Sequence, residues 1–379
     1  MELTLEQLEQ LPLDVEKFWA GDEIAHKDNC FNKDATQVAL NIRMSDECVF
    51  AELGLDDSNV WGEIPREERI AANKAYNEKA LQIVGRKLLR EEFPDPDSVM
   101  PAYRQIGEVF GGEYLRHGAG GSMWLKGNCH SEEELGALLD KIDAMDIRAF
   151  ILPDNWESEK KRIFEAYGKH PASFNGMRGP VTLATSIFGV EELIFLIYDE
   201  PELATRFSQT ILRVIMEYIK IFEEESGQKA CGFHFYDDDS NLLTPDMYEL
   251  FGYPVLKAVF EYTSPNKGDV RYQHSDSAMG HLMPLLGTLN MTACNFGPTI
   301  TVDEIRACLP IARIDGQLAP FTFMNNDKMD IAKEVLRDLE MAKKTRGVNI
   351  HTAGSINNGS SLESMRLIMA LIQNFGQYN

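Results

Sequence analysis

The chain has 379 residues, 44% of them hydrophobic and 26% charged, which supports a sizeable core and lacks the low hydrophobicity of a disordered chain. Sixty acidic residues against 37 basic ones give a net charge of −23; with no basic stripe, this argues against nucleic acid and anionic membrane as partners. Six cysteines (Cys30, Cys48, Cys129, Cys231, Cys294, Cys308) form no Cys-x-x-Cys pair, which argues against a disulfide framework and a thiolate zinc knuckle.

The N-terminus, Met1–Glu9, is acidic and helix-like rather than basic followed by an apolar run, so it does not read as a signal peptide. No stretch approaches the roughly 18 consecutive apolar residues of a membrane span. A cytoplasmic protein is the expectation. Residues 1–98 read as a helical extension: Glu67–Leu89 carries apolar residues at helical spacing, and Phe93-Pro94-Asp95-Pro96 stops any helix. From residue 99 to 379, short apolar runs alternate with amphipathic helices, the pattern of βα units and a parallel barrel. Helices are expected over Ser131–Ala144, Asp154–Tyr167, Val190–Leu196, Glu202–Glu225, Pro245–Tyr262, Thr301–Leu309, Asp327–Thr345 and Ser361–Phe375. Strands are expected over Lys229–Tyr236, Asp269–His274, Met291–Phe296, Arg313–Asp315 and Gly347–His351.

In such barrels the chemistry sits where strands end at their C-terminal side. His234-Phe235-Tyr236-Asp237-Asp238-Asp239, His274-Ser275-Asp276, Asp315 and His351 stand at those ends. Three successive aspartates repel one another unless a cation or hydrogen-bond donors compensate, so Asp237 and Asp238 are candidate functional acids, while Asp239 suits a solvated turn. The His-x-Asp spacing puts His274 and Asp276 on one side of an extended strand end, suited to a metal or to general-base work. Asp315, Asp330 and His351 offer oxygen and imidazole ligands for zinc, although Asp330 also stands where an acid would compensate a helix N-terminus. Gly354–Ser361 reads as a tight loop with serine capping whose amides can hold an anion. Met279, Met283, Met324, Phe321 and Phe323 read as core or as the lining of an apolar pocket.

Several segments, taken in order, resemble the uroporphyrinogen decarboxylase superfamily over residues 105–378. Gly179-Pro180-Val181-Thr182-Leu183 is similar to its Gly-Pro-(Phe/Trp)-Thr-Leu segment, and Tyr198-Asp199-Glu200-Pro201-Glu202 to its Tyr-Asp-x-Pro-Glu helix start. Tyr236–Asp239 with Leu243-Thr244-Pro245-Asp246-Met247-Tyr248 and Phe251 resembles its Asp-Asp, Leu-(Ser/Thr)-Pro-x-x-Tyr and Phe; Gly316–Pro320 and Gly354–Glu363 are similar to later segments. The resemblance implies a (β/α)8 TIM barrel, in agreement with the alternation above. The family's decarboxylases carry an Arg-Gln-Ala-Gly-Arg segment that binds carboxylates; here only Tyr103-Arg104-Gln105-Ile106-Gly107 is similar. Its thiol-directed methyltransferases use His-x-Cys and a later Cys on zinc; here His274-Ser275-Asp276 and Gly354-Ser355 stand there without sulfur. Oxygen ligands leave a metal more electrophilic, which directs it to a substrate polarised through oxygen.

The substrate-side methyltransferases of anaerobic O-demethylase systems look closer, with a proposed Glu-x14-Glu-x20-His zinc motif matched in spacing by Asp315, Asp330 and His351, both acids being Asp. The resemblance thus implies methyl transfer from a small-molecule oxygen-linked donor, such as an aryl methyl ether, to the Co(I) of a partner corrinoid protein. Zinc would act as Lewis acid on Asp315, His351 and either Asp330 or His274, with Asp276 as a further candidate ligand. His234, Asp237, Asp238 and His274 would bind substrate or relay a proton. The alternatives are a methylamine, thioether or halide donor, a decarboxylase with a changed substrate, or a barrel that only binds a tetrapyrrole or corrinoid protein. The N-terminal helices would cover a barrel face or form a homo-oligomer contact.

Overall fold

A computed structural model of the chain describes residues 3–56, 64–116 and 123–378. Its centre is a parallel sheet of seven strands: β1 (Ala39–Leu40), β4 (Gly176–Arg178), β5 (Phe233–Tyr236), β6 (Arg271–Ser275), β7 (Ala293–Phe296), β8 (Arg313–Asp315) and β9 (Val348–Ile350). The intervening β2 (Glu113–Arg116) and β3 (Met123–Lys126) form a separate antiparallel hairpin. The order β1-β9-β8-β7-β6-β5-β4 seats the first strand beside the last, which is how a singly wound parallel sheet curls into a barrel. Among the described residues no pairing joins β1 to β4. The fold is α/β and of TIM-barrel type.

All five expected strands and all eight expected helices form, with ends shifted by a few residues. The helix expected over Pro245–Tyr262 breaks at Gly252 into Pro245–Phe251 and Tyr253–Thr263. The helix expected across Glu67–Leu89 runs over Arg66–Ile83 and stops before Gly85, whose positive φ of 76° ends the helical run. Residues 1–98, read as a helical extension, also supply a sheet strand, since Ala39 and Leu40 pair with Asn349 and Ile350.

Helix faces cover the sheet in the way their sequences dictate. Pro201–Ser226 buries a stripe that includes Phe207, Ile211, Ile215, Tyr218 and Phe222, while polar residues such as Arg213 and Glu217 face outward. Met279, Met283 and Phe323 are core, whereas Phe321 is exposed. Among the described residues no single helix is long and apolar enough to cross a membrane.

Candidate functional site

Inward-facing residues of the sheet are polar where a packed barrel would carry Val, Ile or Leu. Arg178 pairs with Tyr236, Tyr236 with His274, and His274 with Asn295, so one level of β4, β5, β6 and β7 holds arginine, tyrosine, histidine and asparagine side by side. One level lower, Gly176, His234 and Tyr272 are paired. Two cavities adjoin these rows. One, of about 590 Å³, is lined by His234, Tyr236, Tyr272, Asn295, Asp315 and His351 among others. The other, of about 350 Å³, is lined by Arg178, Tyr236, Asp238 and the aromatic residues Tyr103, Tyr114 and Phe174.

The pleat sorts the three aspartates after β5. Asp237 is fully buried, and its Oδ1 accepts the Thr182 amide at 2.8 Å, capping from outside a helix (Pro180–Phe188) whose N-cap, Gly179, has no side chain of its own. A Cβ at Gly179 would stand 2.2 Å from the Asp237 Cβ, so glycine is what lets the cap approach. Burial raises the Asp237 carboxyl to about 7, and its Oδ2 has no hydrogen-bond partner among the described residues. Asp239 accepts the Thr185 hydroxyl at 2.5 Å and its amide donates to the Thr182 hydroxyl at 2.9 Å. Asp238 alone turns toward β6, where its Oδ1 accepts the Asp276 amide at 2.8 Å.

There it meets the His-x-Asp pair. His274 Nε2 is 3.0 Å from Asp276 Oδ1, as their alternate spacing predicts. Ligand atoms of Asp238, His274 and Asp276 all lie within 4.8 Å of one another. On its other side His274 Nδ1 is 2.7 Å from Asn295 Oδ1. The Asn295 amide orientation is fixed, because its Nδ2 donates to the carbonyls of Asp315 and Thr352. His274 Nδ1 therefore donates to Asn295, and Nε2 faces the carboxylates, donating to Asp276 while the imidazole is protonated and free to ligate a cation once it is not. Asp276 is held in turn by the Ser355 amide at 2.9 Å, so the anion that the Gly354–Ser361 loop holds is a side chain of the protein itself.

Electrostatically the cluster is short of positive charge. Burial and the neighbouring carboxylates raise Asp238 above the ordinary carboxylate range, despite the Asp276 amide and His274. Burial works to lower His274, but Asp276 and Asp238 outweigh it and raise its pKa. Burial likewise opposes ionisation of Asp276, yet His274 and the Ser355 amide hold it below its usual value. Two carboxylates and one oriented imidazole with an open side fit a divalent ion, and zinc accepts this nitrogen and oxygen donor set.

Of the other expected ligands, Asp315 and His351 line one cavity, but Asp330 does not join them there. Among the described residues the set Asp315, Asp330 and His351 forms no metal-competent cluster. Asp315 is taken up by Arg313, which grips both its oxygens at 2.8 Å, and by Asn349. Asp330 is exposed in the first turn of Lys328–Thr345, the helix capped by Asp327, where its charge complements the dipole. His351 donates through Nδ1 to the Thr352 carbonyl at 2.7 Å, and burial lowers its pKa. His234 Nδ1 lies 3.1 Å from the Asn175 carbonyl, one level below the cluster. Sequence reasoning missed Asn295 and Arg178 as site residues; only their register beside His274 and Tyr236 reveals them.

The chain is similar in structure to a methyltransferase from Methanosarcina mazei, at 15% identity and a TM-score of 0.56, over 90% of this chain and 94% of that one; the likeness is one of fold. No curated protein matches it. The family described as uroporphyrinogen decarboxylase (URO-D) matches residues 162–375, more than half of the chain and the segment that carries β4 to β9 and the Asp238–His274–Asp276 cluster. The protein belongs to the uroporphyrinogen decarboxylase family.

Proposed function

We propose that the protein is a methyltransferase that takes a methyl group from an oxygen-linked donor, an aryl methyl ether, and passes it to the Co(I) of a separate corrinoid protein. The observation that carries this reading is the sulfur-free cluster of Asp238, His274 and Asp276 beside an aromatic-lined cavity. Asp238, His274 and Asp276 are the residues that would hold zinc, and a zinc ion there supplies Lewis acidity toward the ether oxygen. The proposed metal site thus lies at the ends of β5 and β6, two strands from Asp315 on β8.

Demethylation leaves the bonding electron pair on the ether oxygen, so the reaction needs a group that stabilises developing negative charge at that atom. His274 presents its Nε2 in one orientation because Asn295 holds Nδ1. Asp276 is fixed by the Ser355 amide, and Asp238 by its bond to the Asp276 amide, so all three groups are positioned before a substrate arrives. Tyr236, half exposed between the two cavities, offers its ring face to an aromatic donor. The methyl group moves to cobalt without its electron pair, and the phenolate left behind takes a proton from water on release.

The test is metal analysis joined to an activity assay. Native protein never exposed to chelator should carry about one divalent ion per chain. That ion should be lost in His274→Ala and Asp276→Ala and kept in Asp330→Ala. The native protein should also demethylate an aryl methyl ether in the presence of a reduced corrinoid. Folded protein without metal and without methyl transfer would sink the reading.

A further inference from the structure

We infer that Arg178 sets substrate specificity by binding the carboxylate of a planar aromatic acid whose ring lies on Tyr236 and whose opposite side reaches His274. This rests on the proposed site, since it concerns what the cavity beside Asp238 accepts. The register is the first support. Arg178, Tyr236 and His274 are successive partners across β4, β5 and β6, and paired residues of a parallel sheet point to the same face. Neighbouring strands are about 4.8 Å apart, which sets the backbone of Arg178 about 10 Å from that of His274 with Tyr236 between them. A benzoate laid across Tyr236 fits that separation, with its carboxylate at one end and a ring substituent at the other.

Charge is the second support. The Arg178 guanidinium reaches the Ser186 hydroxyl at 3.3 Å and makes no ion pair among the described residues. Such an arginine is out of character in a chain with 60 acids, where Arg313, in the neighbouring cavity, is fully engaged by Asp315. Lining the same cavity as Arg178 are Tyr103, Tyr114 and Phe174, flat apolar faces suited to a ring. A guanidinium facing such walls is matched by a carboxylate, which it binds through two parallel hydrogen bonds.

The experiment is calorimetric titration of the purified protein with 3-methoxybenzoate and with its neutral counterpart 3-methoxybenzamide. Native protein is expected to bind the acid about tenfold or more tighter than the amide, the worth of a charge-assisted pair. Arg178→Gln should bring the acid down to the amide's affinity while leaving the amide unchanged. Arg178→Lys, which keeps the charge without the fork, should retain part of the preference. Arg43→Gln, in the other cavity, should retain all of it. Equal affinities in native protein, no binding of either compound, a preference that survives Arg178→Gln, or one abolished by Arg43→Gln overturns the inference. Should Arg178→Gln fail the circular-dichroism check of its fold, an undiminished preference in Arg178→Lys overturns it. Because only binding is read, a preference that depends on Arg178 without any methyl transfer would overturn the proposed activity and leave this inference standing.

Discussion

His274 and Asn295 face one another across β6 and β7, with Nδ1 and Oδ1 2.7 Å apart, and this bond decides which histidine nitrogen faces the carboxylates. A ligand histidine whose second nitrogen is held in this way keeps its tautomer and ring plane. Asn295→Ala removes that restraint together with the link to the Gly354 amide at 3.2 Å. The expected result is a loss of zinc affinity of about 10- to 100-fold, read by competition with a chromophoric chelator, in protein that remains folded. Unchanged affinity would mean that Asn295 does not orient a ligand.

Asp237 and Asp238 are neighbours with opposite tasks, and substitution should separate them. Asparagine at 237 keeps an oxygen for the Thr182 amide, so Asp237→Asn should keep both stability and metal content. Asp237→Ala removes the acceptor and should cost about 1 kcal/mol in chemical denaturation, as for other lost helix caps. Asp238→Asn should leave stability nearly unchanged and weaken metal binding. Loss of metal in Asp237→Asn at full stability would contradict the capping role.

The sequence was most legible where one face of an element is apolar. Strand ends at His234–Asp237, His274–Asp276, Asp315 and His351 could be read because an apolar run stops at polar residues, and the helices Glu132–Asp143 and Lys328–Thr345 because their stripes recur at helical spacing. Less legible was Pro180–Phe188, in which every residue but Ser186 is buried, so that no polar face marks a period. β1 has two residues and β4 three, too few for alternation to register. Donor type, and the zinc-motif spacing that the family resemblance implies, suggested Asp315, Asp330 and His351 as ligands, but Arg313 two residues before Asp315 claims that carboxylate. Which of three successive aspartates would face the site depended on the pleat at the end of β5, and their identity alone could not reveal it.

A buried acid away from the site gives a third test. The Glu225 side chain is 2% exposed and accepts the Trp156 indole N–H at 2.8 Å and the Lys160 ammonium at 2.6 Å, with Arg148 also paired to it. Burial opposes its ionisation, but Lys160, Trp156 and Arg148 together hold its carboxyl below the usual value. Glu225→Leu would leave the buried Trp156 donor without an acceptor, at a cost of about 2 kcal/mol in denaturant unfolding. Because the folded carboxyl is depressed, its contribution is present above the unfolded pKa and lost as pH falls. The gap between native protein and Glu225→Leu should therefore narrow on acidification. A gap that stays constant down to acid would mean that the carboxylate charge contributes nothing.

His26 reports on the opposite end of the pH scale. Its Nε2 lies 3.3 Å from Asp22 and 3.0 Å from the Leu40 carbonyl, and Asp22 also accepts the Leu40 amide at 2.8 Å, so the pair ties the helix Val15–Ala25 to β1. The hydrogen bond to Asp22, with Cys30 close to Nδ1, pushes the imidazole up to about 10. A raised folded value means that protonated His26 favours the folded state. That contribution is complete below the unfolded value near 6.5 and is lost as pH rises through about 10. Native protein should thus lose thermal stability between these limits more steeply than His26→Gln, which carries no titrating charge. Thermal melts of the two proteins across that range would check it, and parallel curves would show that the Asp22–His26 pair does not anchor the N-terminal helix through its charge.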